Sequence, residues 1–432
     1  MKISLTSLGC SKNLVDSELI LGSLKNEGHV ITTETEAEVI VVNTCGFIGD
    51  AKKESINTIL ELAEYKKSGK CKKLVITGCL VERYSTELKQ EIPEIDHFWG
   101  TGQLLNIGSI LNGNNYDFSV NSLGTIYDPD SPRVRLTASH TCYVKVSEGC
   151  SRTCSFCIIP RMRGLMRSRP VDSIYEEVRS LGDSGVREIN LIAQDMTSYG
   201  RDIGTNLTTL LRKLSTVDTV DWIRIHYCYP WGISDELIEL LASENNILPY
   251  IDMPIQHIND RILKLMDRKT PAKRILSIIN NLRENLPELT LRTTLIVGFP
   301  SETESDFNEL VDFVREIRFD RLGAFKYSLE EGTSSFDLTD QVDDDIKIER
   351  LERLLDIQSD ISLDKNRMLV GKQFNYFVEG EEDGDYIGRI STQAPEVDGN
   401  TYINKTGDFK AGEYLSVEIT EADIYNLHAK VV

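Results

Sequence analysis

Three cysteines, Cys10, Cys45 and Cys79, each stand just beyond a short β-prone run, and the intervals between them are 35 and 34 residues. The runs are Ser4-Leu5-Thr6-Ser7-Leu8-Gly9-Cys10, Val41-Val42-Asn43-Thr44-Cys45 and Val75-Ile76-Thr77-Gly78-Cys79. The strand-like segments Ile3–Leu8, Val39–Val42 and Leu74–Thr77 precede helical patterns at Val15–Lys25, Ala51–Lys67 and Glu82–Gln90. A strand–helix unit repeated at a steady period implies a parallel sheet, because each helix returns the chain to begin the next strand in the same direction. Equivalent positions then collect at one carboxyl edge, where open α/β sheets bind their ligands. Gly9, Gly46 and Gly78 flank the cysteines and allow tight turns and close backbone approach. The nearby helix starts favour a thiolate or an anionic cluster. Taken singly, each cysteine would read as an ordinary buried one. Their shared register argues for a ligand set of three.

A second trio is compact: Cys150-Ser151-Arg152-Thr153-Cys154-Ser155-Phe156-Cys157. It opens a region, 140–330, that repeats the alternation on a larger scale. Strand candidates are Cys142–Val146, Glu188–Ala193, Trp222–Tyr227, Tyr250–Pro254, Thr290–Val297 and Leu322–Tyr327. Helical patterns such as Ile174–Leu181, Asp235–Ala242, Ala272–Leu286 and Glu304–Ile317 lie between them, which fits a partial TIM-like (βα)6 barrel with its site at the strands' carboxyl ends. Zinc sites usually pair CxxC units or add histidines, and neither is near. Iron–sulfur clusters normally take four thiolates, so three leave one iron open. An open iron can chelate S-adenosylmethionine (SAM) and cleave it reductively to a radical; in the first trio it can accept exogenous sulfur.

Polar groups at the barrel strands' ends should face the site. Gln194-Asp195, Gln256-His257 and Gly298-Phe299-Pro300 stand there, and Phe156, Gln194 and Gly298 are the candidate SAM-binding residues. No side chain is assigned catalysis; His257 reads as a satisfied structural histidine. Arg161, Arg163, Arg167 and Arg169 crowd behind the cysteine loop. They would hold SAM's carboxylate, hold an acidic substrate group, or form a solvated loop. Cys71, Cys142 and Cys228 share no register and read as core filler or incidental surface thiols.

The length of 432 residues suits about three domains. The turn-rich stretch 113–139 reads as a linker, after a cluster domain at 1–112. A charged amphipathic helix fills most of 331–370, with Ile346, Leu351, Leu354, Leu355, Ile361 and Leu363 as its apolar stripe. Residues 371–432 turn β-rich at Phe374–Glu379, Tyr386–Ile390, Thr401–Asn404 and Leu415–Ile419, as in a small β-barrel. No stretch approaches the ~20 apolar residues of a membrane helix. Met1-Lys2-Ile3-Ser4-Leu5 carries no signal-peptide pattern, so a cytoplasmic location is expected, where nine cysteines favour metal ligation over disulfides. The net charge of −20 weighs against non-specific nucleic-acid binding and suits a basic partner.

Along nearly its whole length the sequence resembles the radical SAM methylthiotransferases. The resemblance implies an amino-terminal domain with an auxiliary 4Fe–4S cluster on Cys10, Cys45 and Cys79. It further implies a radical SAM barrel with a 4Fe–4S cluster on Cys150, Cys154 and Cys157, and a carboxy-terminal TRAM β-barrel that binds substrate. Arg163-Gly164-Leu165-Met166-Arg167-Ser168-Arg169 is similar to an arginine pattern of these enzymes. The fifth strand departs from the resemblance: Thr294 stands where many radical SAM proteins open that strand's motif with glycine. The segments Leu8–Glu18, Met253-Pro254-Ile255-Gln256-His257 and Gln393-Ala394-Pro395-Glu396 resemble the branch that modifies an aspartate of small-subunit ribosomal protein twelve; another branch modifies an adenosine of transfer RNA. The implied reaction uses SAM as methyl donor and as radical source, with an external electron donor.

Overall fold

A strand buried on both faces must be apolar throughout rather than alternating, and Val39-Ile40-Val41-Val42 meets that demand at the centre of the first sheet. The structure, a computed structural model, describes residues 1–67, 69–102, 104–111, 123–405 and 407–432. The first sheet comprises β1 (Lys2–Ser7), β2 (Val30–Ile31), β3 (Val39–Thr44), β4 (Lys73–Gly78) and β5 (His97–Trp99). The order is β2-β1-β3-β4-β5, and every pairing is parallel. Helices α1 (Ser11–Asn26), α2 (Gly49–Lys67) and α3 (Cys79–Glu91) follow β1, β3 and β4. Asn43 lies opposite Ser7 on one side and Thr77 on the other, so the three strands end level.

The middle of the chain contributes β6 (Thr141–Lys145), β7 (Ser147–Glu148), β8 (Arg167–Ser168), β9 (Glu188–Ile192), β10 (Trp222–Ile225), β11 (Ile247–Asp252), β12 (Thr290–Val297) and β13 (Arg321–Lys326). Six form an open parallel sheet ordered β13-β12-β11-β10-β9-β6, the (βα)6 arrangement expected, and β7 and β8 pair as an antiparallel clip around the cysteine loop. The core lies between these strands and the surrounding helices, with Ile189, Leu191, Ile223, Ile251, Leu291 and Leu295 fully buried.

A closed barrel ends the chain: β14 (Gln373–Glu382), β15 (Asp385–Ile390), β16 (Thr401–Asn404), β17 (Tyr414–Ala422) and β18 (Leu427–Val431), ordered β14-β15-β16-β18-β17. It docks on the amino-terminal end of the middle sheet. Trp222 and Tyr250 pack with Phe377, Ala394 and Tyr414. Beneath them Arg389 donates to Glu188 at 2.5 Å, and Arg224 donates to the Ser391 and Gln393 carbonyls at 3.0 and 3.1 Å.

One expectation needs correction. The connecting helix, Asp344–Arg367, buries Leu354 and Ile361 but leaves Ile346 and Leu355 exposed. Its buried face includes Lys347, Arg350, Gln358 and Asn366, because polar partners wait there: Arg350 donates to Glu302 and Asn366 to the Asp423 and Ile424 carbonyls. Of the expected linker, residues 113–122 lie outside the described residues. Beyond them Tyr127 is buried, and Arg133 forks onto Glu18 and Glu177 at 2.5 and 2.9 Å.

Candidate functional site

Because β1, β3 and β4 end level, the turns beyond them meet. Gly9 has φ +88°, and a Cβ there would stand 2.7 Å from Cys45 Cβ and 3.1 Å from its sulfur. Only glycine lets the Cys10 turn lie so close against Cys45. Gly78 has φ +97°, and a Cβ would collide with Asn43 Oδ1 at 2.4 Å and the Thr44 carbonyl at 2.5 Å. Asn13 ties the turns together by donating to the Leu8 and Thr44 carbonyls, each at 2.9 Å. Asn43 returns a bond to the Asn13 carbonyl at 2.9 Å.

The compact cysteine loop leaves β7 and is held by its own backbone. Cys157 N–H donates to the Cys154 carbonyl at 3.0 Å, Cys150 N–H to Gly164 at 3.0 Å, and Ser155 N–H to Met266 at 3.0 Å. Both trios face one cavity of about 480 Å³, with Cys10, Cys45 and Cys79 on one wall and Cys150, Cys154 and Cys157 on another. Among the described residues no three His, Cys, Asp or Glu side chains converge on a single ion position. A 4Fe–4S cluster takes each thiolate on a different iron, so its ligands need not share one ion position. Three soft thiols per trio and the glycine-made cradle at Gly9 fit such a cluster.

The cations are placed to match. Arg163 Nε donates to Cys79 Sγ at 3.4 Å, and Arg268 to Cys154 Sγ at 3.6 Å. Burial, reinforced by neighbouring thiols and, at Cys150, by Asp195, pushes the thiols up: Cys45 to about 12, Cys150 to about 11 and Cys157 to about 12. Burial also acts on Cys10, but Lys12 and Arg163 beside it outweigh that effect and hold it below the ordinary thiol value.

Within the arginine-rich segment Arg161 is exposed, whereas Arg163, Arg167 and Arg169 have partners inside the protein. Arg163 and Arg169 are buried and engaged internally. Arg163 donates to Asn13 at 2.6 Å, Asp16 at 2.9 Å and Glu148 at 3.1 Å; Lys145 bridges Asp16 and Glu148 from the other side at 2.6 and 2.5 Å. Arg169 donates to Glu177 at 2.5 Å, and Arg167 to the Gly124 carbonyl. Arg163 therefore joins α1 to the barrel directly behind the first trio.

Of the candidate SAM contacts, Phe156 and Gln194 line the cavity, and Gln194 donates to Glu148 at 3.1 Å. Gly298 does not line it: its N–H donates to Glu302 at 3.0 Å, and Lys347 fills the space a Cβ would take, 2.3 Å away. Thr294, on the same strand, lines the cavity instead. His257 is fully buried, accepting from Asn259 N–H at 3.0 Å, with Glu302 3.5 Å from its other nitrogen. Cys71, Cys142 and Cys228 are all buried, and Cys228 forms part of the cavity wall. Sequence reasoning missed Lys12, Tyr227, Arg268 and Arg292, which also line the cavity; only the neighbourhood of Lys12 to Cys10 could have signalled any of them.

Comparison with known proteins gives three family matches: Uncharacterized protein family UPF0004 over residues 2–100, the Radical SAM superfamily over 144–314, and the TRAM domain over 370–432. The chain is 47% identical to a protein of Clostridioides difficile (strain 630) named ribosomal protein uS12 methylthiotransferase RimO, covering 100% of this chain and 99% of that one. A protein of the same name from Myxococcus xanthus (strain DK1622) is 48% identical, covering 99% and 90%. Among solved structures, the radical S-adenosylmethionine methyltransferase TsrM of Kitasatospora setae, with cobalamin and a [4Fe-4S] cluster bound, aligns with a TM-score of 0.54 at 14% identity, covering 75% of this chain and 74% of that one. That likeness is one of fold.

Proposed function

This chain belongs to the RimO family of radical SAM methylthiotransferases, and we propose that it methylthiolates the β-carbon of an aspartate in small-subunit ribosomal protein uS12, using two 4Fe–4S clusters and SAM. The observation that carries the reading is the meeting of two cysteine trios, 71 or more residues apart in the chain, on one cavity. Full-length similarity to proteins named for uS12 supports the substrate.

In this reading Cys150, Cys154 and Cys157 hold the cluster that binds SAM, and Cys10, Cys45 and Cys79 hold the auxiliary one. When bound, these groups supply the radical that removes a hydrogen from an unactivated carbon and the methylated sulfur that replaces it. The chain's own residues place and enclose that chemistry. Residues 1–112 present one trio and 140–330 the other, and Arg163 fixes their separation through Asp16, Glu148 and Asn13. Phe156, Gln194 and Thr294 border the space beside the Cys150 loop. The segment 113–139 and the helix within 331–370 connect the parts, and 371–432 receives the ribosomal protein. An external donor supplies electrons.

Anaerobic reconstitution tests the cluster assignment. The intact protein should hold about eight irons, and changing either trio to alanine should halve that. A wild-type content near four irons would contradict the auxiliary cluster.

A further inference from the structure

Among the described residues five cationic side chains line the cavity: Lys12, Arg152, Arg163, Arg268 and Arg292. Three are engaged by carboxylates of this chain. Arg152 donates to Asp195 at 2.6 Å, Arg163 to Asp16 and Glu148, and Arg292 to Asp398 at 2.8 Å. Arg268 lacks a carboxylate but is fully occupied otherwise, donating to the Pro254 carbonyl and Cys154 Sγ and lying 4.1 Å from the Tyr229 ring. Its place is with the Cys150 trio.

Lys12 differs from all four. Its Nζ stands 3.4 Å above the Tyr227 ring, the residue is 8% exposed, and among the described residues no carboxylate pairs with it. Tyr227 is held at φ 63°, an uncommon conformation for a non-glycine residue, and its ring supports the ammonium from below. Cys10 is its anionic neighbour on this chain, yet an ammonium has three donors, and leaving one unmet toward the cavity is unfavourable unless an anion arrives there. The position of Lys12 says which anion. It lies two residues from Cys10 and is followed directly by Asn13, which ties the turns of the first trio. A carbon that takes up sulfur must come to this end of the cavity, and in aspartate the carboxylate is one bond from that carbon.

We propose that Lys12 is the positioning and specificity residue that binds the side-chain carboxylate of the substrate aspartate. This rests on the aspartate reading above and adds the group that recognises it. A charge-assisted hydrogen bond of this kind discriminates about ten- to a hundredfold against a neutral isostere.

The test uses reconstituted holoenzyme with SAM under non-reducing conditions and a fluorescent peptide carrying the uS12 acceptor segment. Equilibrium binding is measured with aspartate or asparagine at the acceptor position. Wild type should prefer aspartate by about ten- to a hundredfold. Lys12→Met should bring the ratio close to one, and Lys12→Arg should restore most of it. Equal binding of both peptides by wild type overturns the proposal, whether or not the methionine variant folds. So does a preference retained in Lys12→Met, or a variant that loses SAM affinity while still discriminating the peptides, which would assign Lys12 to SAM. The broader reading fails separately: wild type, supplied with reductant, would then leave the aspartate peptide unmodified.

Discussion

Arg163 shows what single residues do here beyond ligation. It is 2% exposed and meets Asp16, Glu148, Asn13 and Cys79 together, so both segments carrying cysteines converge on one guanidinium. Replacing it with Met should leave Asp16 and Glu148 buried with only Lys145 between them. Loss of about 3–5 kcal/mol is expected, the range for breaking a buried ion pair, and a fall in the urea midpoint checks it. The cysteine trios should behave as separable units: without Cys150, Cys154 and Cys157 SAM cleavage should vanish, whereas without Cys10, Cys45 and Cys79 cleavage should persist and methylthio transfer stop. Product analysis for 5′-deoxyadenosine and methylthiolated peptide distinguishes the two. The gathering of Cys10, Cys45 and Cys79 was legible because strand ends carry a register, and that of Cys150, Cys154 and Cys157 because they share one short loop. Arg163's role was not, since Asp16 lies 147 residues away and nothing local marks the pair.

Among elements, the long strands and helices were readable and the short ones were not. A strand of two residues, β2, or three, β5, is too short to show a period, and both sit at the edges of the first sheet. The connecting helix misled for the opposite reason: its apolar pattern was real, but buried hydrogen-bond partners selected a more polar face. Gly298 was assigned to the site by its place at a strand end, yet its turn bends toward that same helix. The docking of the terminal barrel turns on Glu188, at the start of β9. Burial opposes its charge, but Arg389 and Arg224 outweigh burial and hold the carboxyl at about 2 against an ordinary 4.5. A lowered folded value means the stabilisation is complete above pH 4.5 and is lost as pH falls toward 2. The stability advantage of wild type over Glu188→Gln should therefore be greatest above pH 4.5 and shrink below it. Urea titrations at successive pH values read this out; a difference independent of pH would contradict the assignment.

For the whole molecule, charge and architecture point to the same partner. The chain carries −20 overall, and residues 371–432 hold twelve acidic against five basic side chains. A barrel that tracked an RNA backbone would be expected to present a basic face. Instead, the end of β14 and the turn after it expose Glu381, Glu382 and Asp383, while Glu379 is engaged by Arg389. Changing Glu382, Asp383 and Asp385 to Lys should slow capture of a basic ribosomal protein, and the difference from wild type should fade as salt shortens the screening length below ~10 Å. Stopped-flow association at several ionic strengths checks this; unchanged rates would make the turn ordinary solvated surface. The choice of substrate is settled by offering the reconstituted enzyme, with SAM, sulfide and reductant, both uS12 and unmodified transfer RNA in one reaction, followed by mass spectrometry of each. One methylthio group should replace a hydrogen on a uS12 aspartate while the RNA stays unchanged; methylthiolated adenosine with no mass gain on uS12 would overturn the assignment.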